Sequence, residues 1–286
     1  MQWRGRRESS NIEDRRRMGG GAARAGGIGG AGAIIVVLLA MFLGVDPSQI
    51  LGPGGLGGSS GSSQPAELTA KDEAEGQFAS VVLADTEEIW TRLFKSQLGE
   101  RYHPAVLVLF KDATRSPCGG ASEATGPFYC PSDKKVYLDT GFFTTMRDRL
   151  GAGGDFAAAY VVAHEIGHHV QDELGILGQA NETRSRVSET ESNAISVRIE
   201  LQADCLAGIW AREAADTLGV VEKGDLEEAL NAAAQIGDDT LQRNAGMRPM
   251  PDSFTHGTSK QRSHWFSVGM QSGKLEDCDT FGAKAL

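Results

Sequence analysis

The sequence predicts an α+β fold: a mainly helical domain with a small β-sheet, preceded by one N-terminal transmembrane helix. Three observations carry this. Apolar residues after position 140 recur almost throughout at helical spacing. Two short apolar runs, Ala105–Phe110 and Lys135–Asp139, stand before them as strands, and an uncharged stretch lies near the N-terminus. A 286-residue chain that is 40% apolar can bury one good-sized core, not three.

Taken in order, residues 1–24 read as a basic cytoplasmic segment, with Arg4, Arg6, Arg7, Arg15, Arg16, Arg17 and Arg24 against Glu8, Glu13 and Asp14. Residues 25–45 read as the transmembrane anchor. No residue there is charged, Ala33–Val45 is strongly apolar, and the stretch would span about 31 Å as a helix, near the hydrocarbon thickness of a bilayer. A cleaved signal peptide competes with this reading, but Asp46-Pro-Ser-Gln-Ile-Leu51 offers no small-x-small cleavage site. Arginines before the span and none close after it predict a single-pass protein of the cell membrane, N-terminus cytoplasmic and catalytic domain extracytoplasmic. Residues 46–67 form a Gly/Ser/Pro-rich linker, and residues 68–286 the globular domain.

The net charge of −10 divides unevenly: residues 1–45 carry seven arginines and three acids, and the body is strongly acidic. Such a body excludes nucleic acid as a partner bound through bulk electrostatics, which needs lysines and arginines to displace counterions from phosphate.

Within the domain, Phe78, Val81, Val82, Ile89, Trp90, Leu93 and Phe94 predict a helix inside Thr69–Leu98. Further helices are expected at 140–150, 155–174, about 186–217, 224–236 and 259–272. Four cysteines with no Cys-x-x-Cys pair exclude a zinc ribbon and suit an oxidising compartment. Cys118 with Cys130 is the natural local pair, leaving Cys205 with Cys278, although four cysteines allow three pairings and the sequence does not choose.

The chemistry concentrates in His164-Glu165-Ile166-Gly167-His168. Residues i and i+4 of a helix share a face, so the two imidazoles can reach one metal ion, while Glu165 sits beside the metal, where a general base takes a proton from activated water. The run before it is apolar nearly all round, which predicts a buried helix and a site in a cleft. Gly167 leaves room for another chain segment or a substrate.

A third ligand is expected from Glu200-Leu-Gln-Ala-Asp204. Glu200 and Asp204 share a helix face, and Leu201, Ala203, Cys205, Leu206, Ala207 and Ile209 make that stretch too apolar for a solvated acidic face; buried acids without a cation are expensive. Glu200 is the expected metal ligand, and Asp204 the acceptor for the free ring nitrogen of a ligand histidine.

Together, His164–Gln171, Glu200–Cys205, Cys118-Gly-Gly with Gly126-Pro-Phe-Tyr-Cys-Pro131, and Phe254-Thr-His-Gly257 resemble the bacterial membrane-anchored proteins described as putative neutral zinc metallopeptidases. More distantly, the pattern is similar to gluzincin peptidases, in which the later glutamate is the third zinc ligand. The resemblance implies a zincin-like peptidase fold and one zinc ion per chain on His164, His168 and Glu200.

Among other histidines, His169 points away from His168 and suits packing or the support of a ligand from behind, not ligation itself. His103 and His264 carry no distinguishing context. His256 lies in a loop rimmed by Pro249, Pro251 and Gly257, and is either an ordinary loop residue or a donor to the oxyanion of a tetrahedral intermediate, a role some gluzincins give a downstream histidine. Tyr129 and Tyr137 are weaker candidates. The expected activity is hydrolysis of a peptide or protein substrate, with Glu165 as base. The alternatives are a non-catalytic zinc-stabilised scaffold, whose site would be closed by a fourth protein ligand, and hydrolysis of a non-peptide amide.

Overall fold

The computed structural model describes residues 1–18, 67–122 and 126–286. Along the sequence run β1 (Ile12–Asp14), α1 (Ala70–Leu93), β2 (Val106–Phe110), β3 (Ala113–Ser116), β4 (Gly119–Ser122), β5 (Phe128–Cys130), β6 (Lys135–Asp139), α2 (Gly141–Asp148), α3 (Asp155–Glu173), α4 (Ile176–Arg184), α5 (Glu189–Asp216), α6 (Asp225–Gln235), α7 (Asp238–Asn244) and α8 (Ser259–Ser272). This is the expected mixed fold with a helical majority. The small elements β1, β3, β4, β5, α4 and α7 add to the expected ones. α5 starts at Glu189, three residues later than expected, where the Ser188 hydroxyl accepts from the Glu191 amide and Glu191 reaches back to the Ser188 amide.

One sheet has the order β1-β2-β6-β5, with β1, β2 and β6 parallel and β5 antiparallel to β6; β3 and β4 form a separate hairpin. Both faces of the four-stranded sheet are buried, following the two-residue alternation of strands. Leu107, Leu109, Val136 and Leu138 face the main helical core, whereas Val108, Phe110 and Tyr137 face a smaller cluster with Ala121 of the hairpin and Cys130. The disulfide Cys118–Cys130 ties the hairpin side of the protein to β5, and Cys205–Cys278 ties the C-terminal tail to α5.

Residues 1–18 are not a segment apart from the domain. β1 pairs with β2 in register Ile12 to Leu107, and Trp3 packs edge-on against Phe78 with ring centroids 5.4 Å apart. The arginines read as a topology signal are matched to acids and carbonyls of the body. Arg6 pairs with Asp85, Arg7 donates to the Ala84 carbonyl at 2.7 Å, Arg16 is buried against the Asp72 carbonyl, and Arg17 meets Glu73 at 2.8 Å. The Met1 ammonium lies 3.3, 3.3 and 3.2 Å from carboxylates of Asp155, Glu222 and Asp225. The charge contrast between head and body is therefore used in docking one on the other. Segments that share a sheet lie on one side of any bilayer, and β1 and β2 share one. The expected anchor at 25–45 and the linker up to residue 66 lie outside the described residues; among the described ones, no helix is long and apolar enough to cross a membrane.

Candidate metal centre

α3 and α5 cross at the motif. Gly167 makes this possible: a Cβ there would lie 3.0 Å from the Ala203 carbonyl oxygen, so another chain segment, not substrate, uses the space. α8 then packs on the far side of α5, where Gly208 faces the Phe266 carbonyl so closely that no side chain would fit.

The crossing brings ligand atoms of His164, His168 and Glu200 within 4.8 Å of one another. His164 Nε2 lies 3.1 Å from Glu200 Oε2, and His168 Nε2 3.6 Å from Glu200 Oε1. Two imidazole nitrogens and a carboxylate, all turned to one point, are a donor set suited to zinc. The remaining ring nitrogens are held from behind, as metal-ligating histidines require. Nδ1 of His164 bonds Asp204 at 2.9 Å, and Nδ1 of His168 bonds Gln171 Oε1 at 2.9 Å. Gln171 in turn donates to Gln202 Oε1 at 3.0 Å and to the Ile199 carbonyl at 2.8 Å.

Asp204 is fully buried, as the apolar context of its helix implied, and its countercharge is Arg262. Arg262 donates through Nε and Nη2 at 2.8 and 3.0 Å, and the Tyr160 hydroxyl donates to the same carboxylate at 2.5 Å. Burial pushes the Asp204 carboxyl up, but Arg262 and His164 outweigh it and hold it at about 2. Burial likewise opposes the charged form of His164, yet the ionised Asp204 and Glu200 raise it to about 10. Glu200 is drawn well below the usual carboxylate range by His256 and His168, against the effect of its own burial. Without metal, the centre is thus a buried ion cluster. Neither Arg262 nor Tyr160 was singled out from the sequence, although Arg262 shares a helix face with the buried Trp265, Phe266 and Gly269 and could have been read from that spacing.

Glu165 is 8% exposed, lines the cavity over the three ligands, and makes no hydrogen bond or ion pair with a described residue. His256 lines the same cavity, with Nε2 3.9 Å from Glu200 Oε1. Its loop is fixed by Asp238, whose Oδ2 accepts from the amides of Thr255, His256 and Gly257 at 2.8, 2.7 and 3.0 Å. His169 faces away: Nε2 donates to the His103 carbonyl at 2.7 Å and Nδ1 lies 3.2 Å from the Tyr129 hydroxyl. It anchors β5 to α3. Tyr129 donates to Asp172 at 2.9 Å, and Tyr137 to Asp133 at 2.7 Å, so both hydroxyls are engaged. His103 pairs with Glu173 at 2.8 Å at the surface, and His264 stacks edge-on with Trp265. A second acidic group, Asp155, Asp225 and Glu228, lies near the first turns of α3 and α6, where two of its acids hold the Met1 ammonium.

The cavity holds about 370 Å³. Its walls come from Gly126–Tyr129 beside β5, Leu177, Asn181 and Arg184 of α4, and the His256 loop, with Phe142 and Leu150 adding apolar surface.

Comparison with known proteins gives the family. The model of the family described as "Putative neutral zinc metallopeptidase" matches residues 1–281. The Escherichia coli K12 protein YpfJ, an uncharacterized protein, is 47% identical over 291 residues, 99% of each sequence. The uncharacterized protein Rv2575 of Mycobacterium tuberculosis H37Rv is 45% identical over 188 residues, 62% of each sequence. No solved structure matches.

Proposed function

The chain belongs to the putative neutral zinc metallopeptidase family, and from that premise we propose that it is a zinc-dependent peptidase working in the cavity above His164, His168 and Glu200. The observation that carries the reading is the contrast inside the motif. Two histidines converge on Glu200, while Glu165, buried in the same cavity, stays outside the ligand group and has no bonding partner among the described residues. A structural clamp would be closed by a fourth protein ligand. Among the described residues His169 is committed elsewhere and His256 is not part of the ligand group.

One bound zinc ion would supply Lewis-acid charge that polarises a peptide carbonyl and makes water a stronger acid. Glu165 takes the proton of the attacking water and returns it to the leaving amine. His256, steadied through Asp238, donates to the oxygen on which negative charge develops. Among the described residues β5 has a partner strand on one side, and its other edge can align an extended peptide along the cavity. The two disulfides support an extracytoplasmic site of action.

The test is Glu165→Gln in the full-length protein. Zinc content should stay at one ion, while cleavage of a fluorogenic peptide library should fall by about 10²–10⁴-fold, the range of general-base contributions. Wild-type turnover by Glu165→Gln would remove the assignment.

A further inference from the structure

Among the described residues, the cavity contains one arginine with no acidic partner. α4 turns a single face to it, Leu177, Asn181 and Arg184 at i, i+4 and i+7, so the wall runs from apolar to polar to charged. Arg184 is half-buried. Its Nε donates to Ser192 Oγ at 3.3 Å and its Nη1 to Asn181 Oδ1 at 3.1 Å, both neutral acceptors. Among the described residues, Nη2 has no hydrogen-bond partner and no carboxylate comes within ion-pairing distance. The other arginine of the cavity, Arg262, is the opposite case, fully spent on Asp204 and Tyr160.

A partly desolvated guanidinium without a counter-ion is costly, and the cost is recovered when an anion arrives. Burial draws Arg184 below its ordinary pKa, and the one acid acting on it in the other direction is Glu200. Glu200 is the carboxylate a metal ion would claim. With that charge committed, the α4 side of the cleft is left positive, with a free pair of guanidinium donors beside the reacting centre. A helix-terminal arginine often serves only to offset the helix dipole. Here its position on the cavity face of α4, next to Leu177 and Asn181, adds a recognition role.

Building on the peptidase reading, we propose that Arg184 forms an anion subsite, so that the preferred substrates are peptides presenting a carboxylate to the α4 wall. The carboxylate is either the substrate's own C-terminus or an aspartate or glutamate side chain. Arg184 touches neither the metal ligands nor Glu165 and acts on substrate choice.

The experiment uses zinc-loaded full-length Glu165→Gln protein, which binds without turnover, and fluorescence anisotropy with the labelled peptide Ala-Ala-Phe-Leu-Glu-Ala. Its Glu→Gln analogue gives one comparison and its C-terminal amide the other. At least about tenfold tighter binding of the carboxylate member is expected in one comparison, and which comparison shows it identifies the source of the anion. Adding Arg184→Ala should abolish the preference while leaving the affinity for the neutral peptide unchanged, and Arg184→Lys should keep part of it. Equal binding within both comparisons, no binding of any peptide, or a preference that survives Arg184→Ala overturns the subsite. Turnover by protein with Glu165 intact is read separately. Absence of hydrolysis with the preference intact would end the peptidase reading and leave the subsite standing; hydrolysis indifferent to the carboxylate would do the reverse.

Discussion

Nδ1 of His164 lies 2.9 Å from Oδ1 of Asp204, and this contact joins the candidate metal centre to the buried Arg262. Through it, α3, α5 and α8 all orient one imidazole. Asp204→Asn keeps the shape and removes the charge that fixes the ring's tautomer. Zinc affinity, measured by chelator competition, should fall about 10–100-fold with the far-ultraviolet circular dichroism unchanged. Glu200→Ala removes a ligand outright, and should leave purified full-length protein with little zinc. Undiminished zinc in Glu200→Ala would discard the third-ligand assignment.

The protonation of the metal-free centre predicts a pH effect. His164 is raised from 6.5 to about 10, because ionised Asp204 and Glu200 outweigh burial. A raised pKa stabilises the metal-free fold fully below pH 6.5, and that contribution is lost as pH climbs through about 10. Zinc requires neutral imidazole, so binding at about pH 7.5 should release at least one proton, and apparent affinity should rise about tenfold per pH unit per proton. Calorimetric titrations in buffers of different ionisation enthalpy measure the number directly. No proton release in that titration would mean that His164 is neutral in the metal-free protein.

The helices and central strands were legible because their apolar spacing is long and regular, and the candidate ligand group because His164, His168 and Glu200 combine a motif with an apolar context for a buried acid. What stayed hidden has physical reasons. β1 is three residues long and owes its place to ion pairs between Arg6, Arg16 and Arg17 and acids or carbonyls of α1, contacts between segments far apart in sequence. The same arginines fit the positive-inside pattern, so one composition supports two arrangements. α4 is short and mostly exposed along its length, with only Leu177 and Ala180 buried, too little for a periodic signal. Arg262 is hidden because a lone charge in a helix usually faces solvent, and only the fold reveals its partner Asp204.

That N-terminal docking is open to a direct check. Trp3 is 8% exposed, packs on Phe78, and donates from Nε1 to Asp155 at 3.1 Å. Trp3→Ala should cost about 3–5 kcal/mol, as for large aromatic side chains removed from a core, and lower the melting temperature without changing zinc content. Should residues 1–18 stand apart from the domain in solution, Trp3→Ala would leave the melting temperature where it was.

The two disulfides should differ in what they protect. Cys118–Cys130 closes 12 residues and Cys205–Cys278 closes 73, so the chain-entropy model assigns them about 3 and about 4 kcal/mol. The larger difference is connectivity. The Cys278 carbonyl accepts from Gln202 Nε2 at 2.9 Å, Gln202 accepts from Gln171, and Gln171 accepts from Nδ1 of His168. Cutting the longer bridge releases the tail, leaves buried Gln202 without that acceptor, and loosens the support of a metal ligand. The Cys205→Ala/Cys278→Ala protein should therefore lose both melting temperature and zinc affinity, the latter by about tenfold or more, as for lost outer-sphere partners. Cys118→Ala/Cys130→Ala should lose melting temperature alone, because its bridge joins β5 to the hairpin side and touches none of those linked amides. Equal zinc affinity in the two double variants would show that the linked amides do not transmit the tail's position to His168.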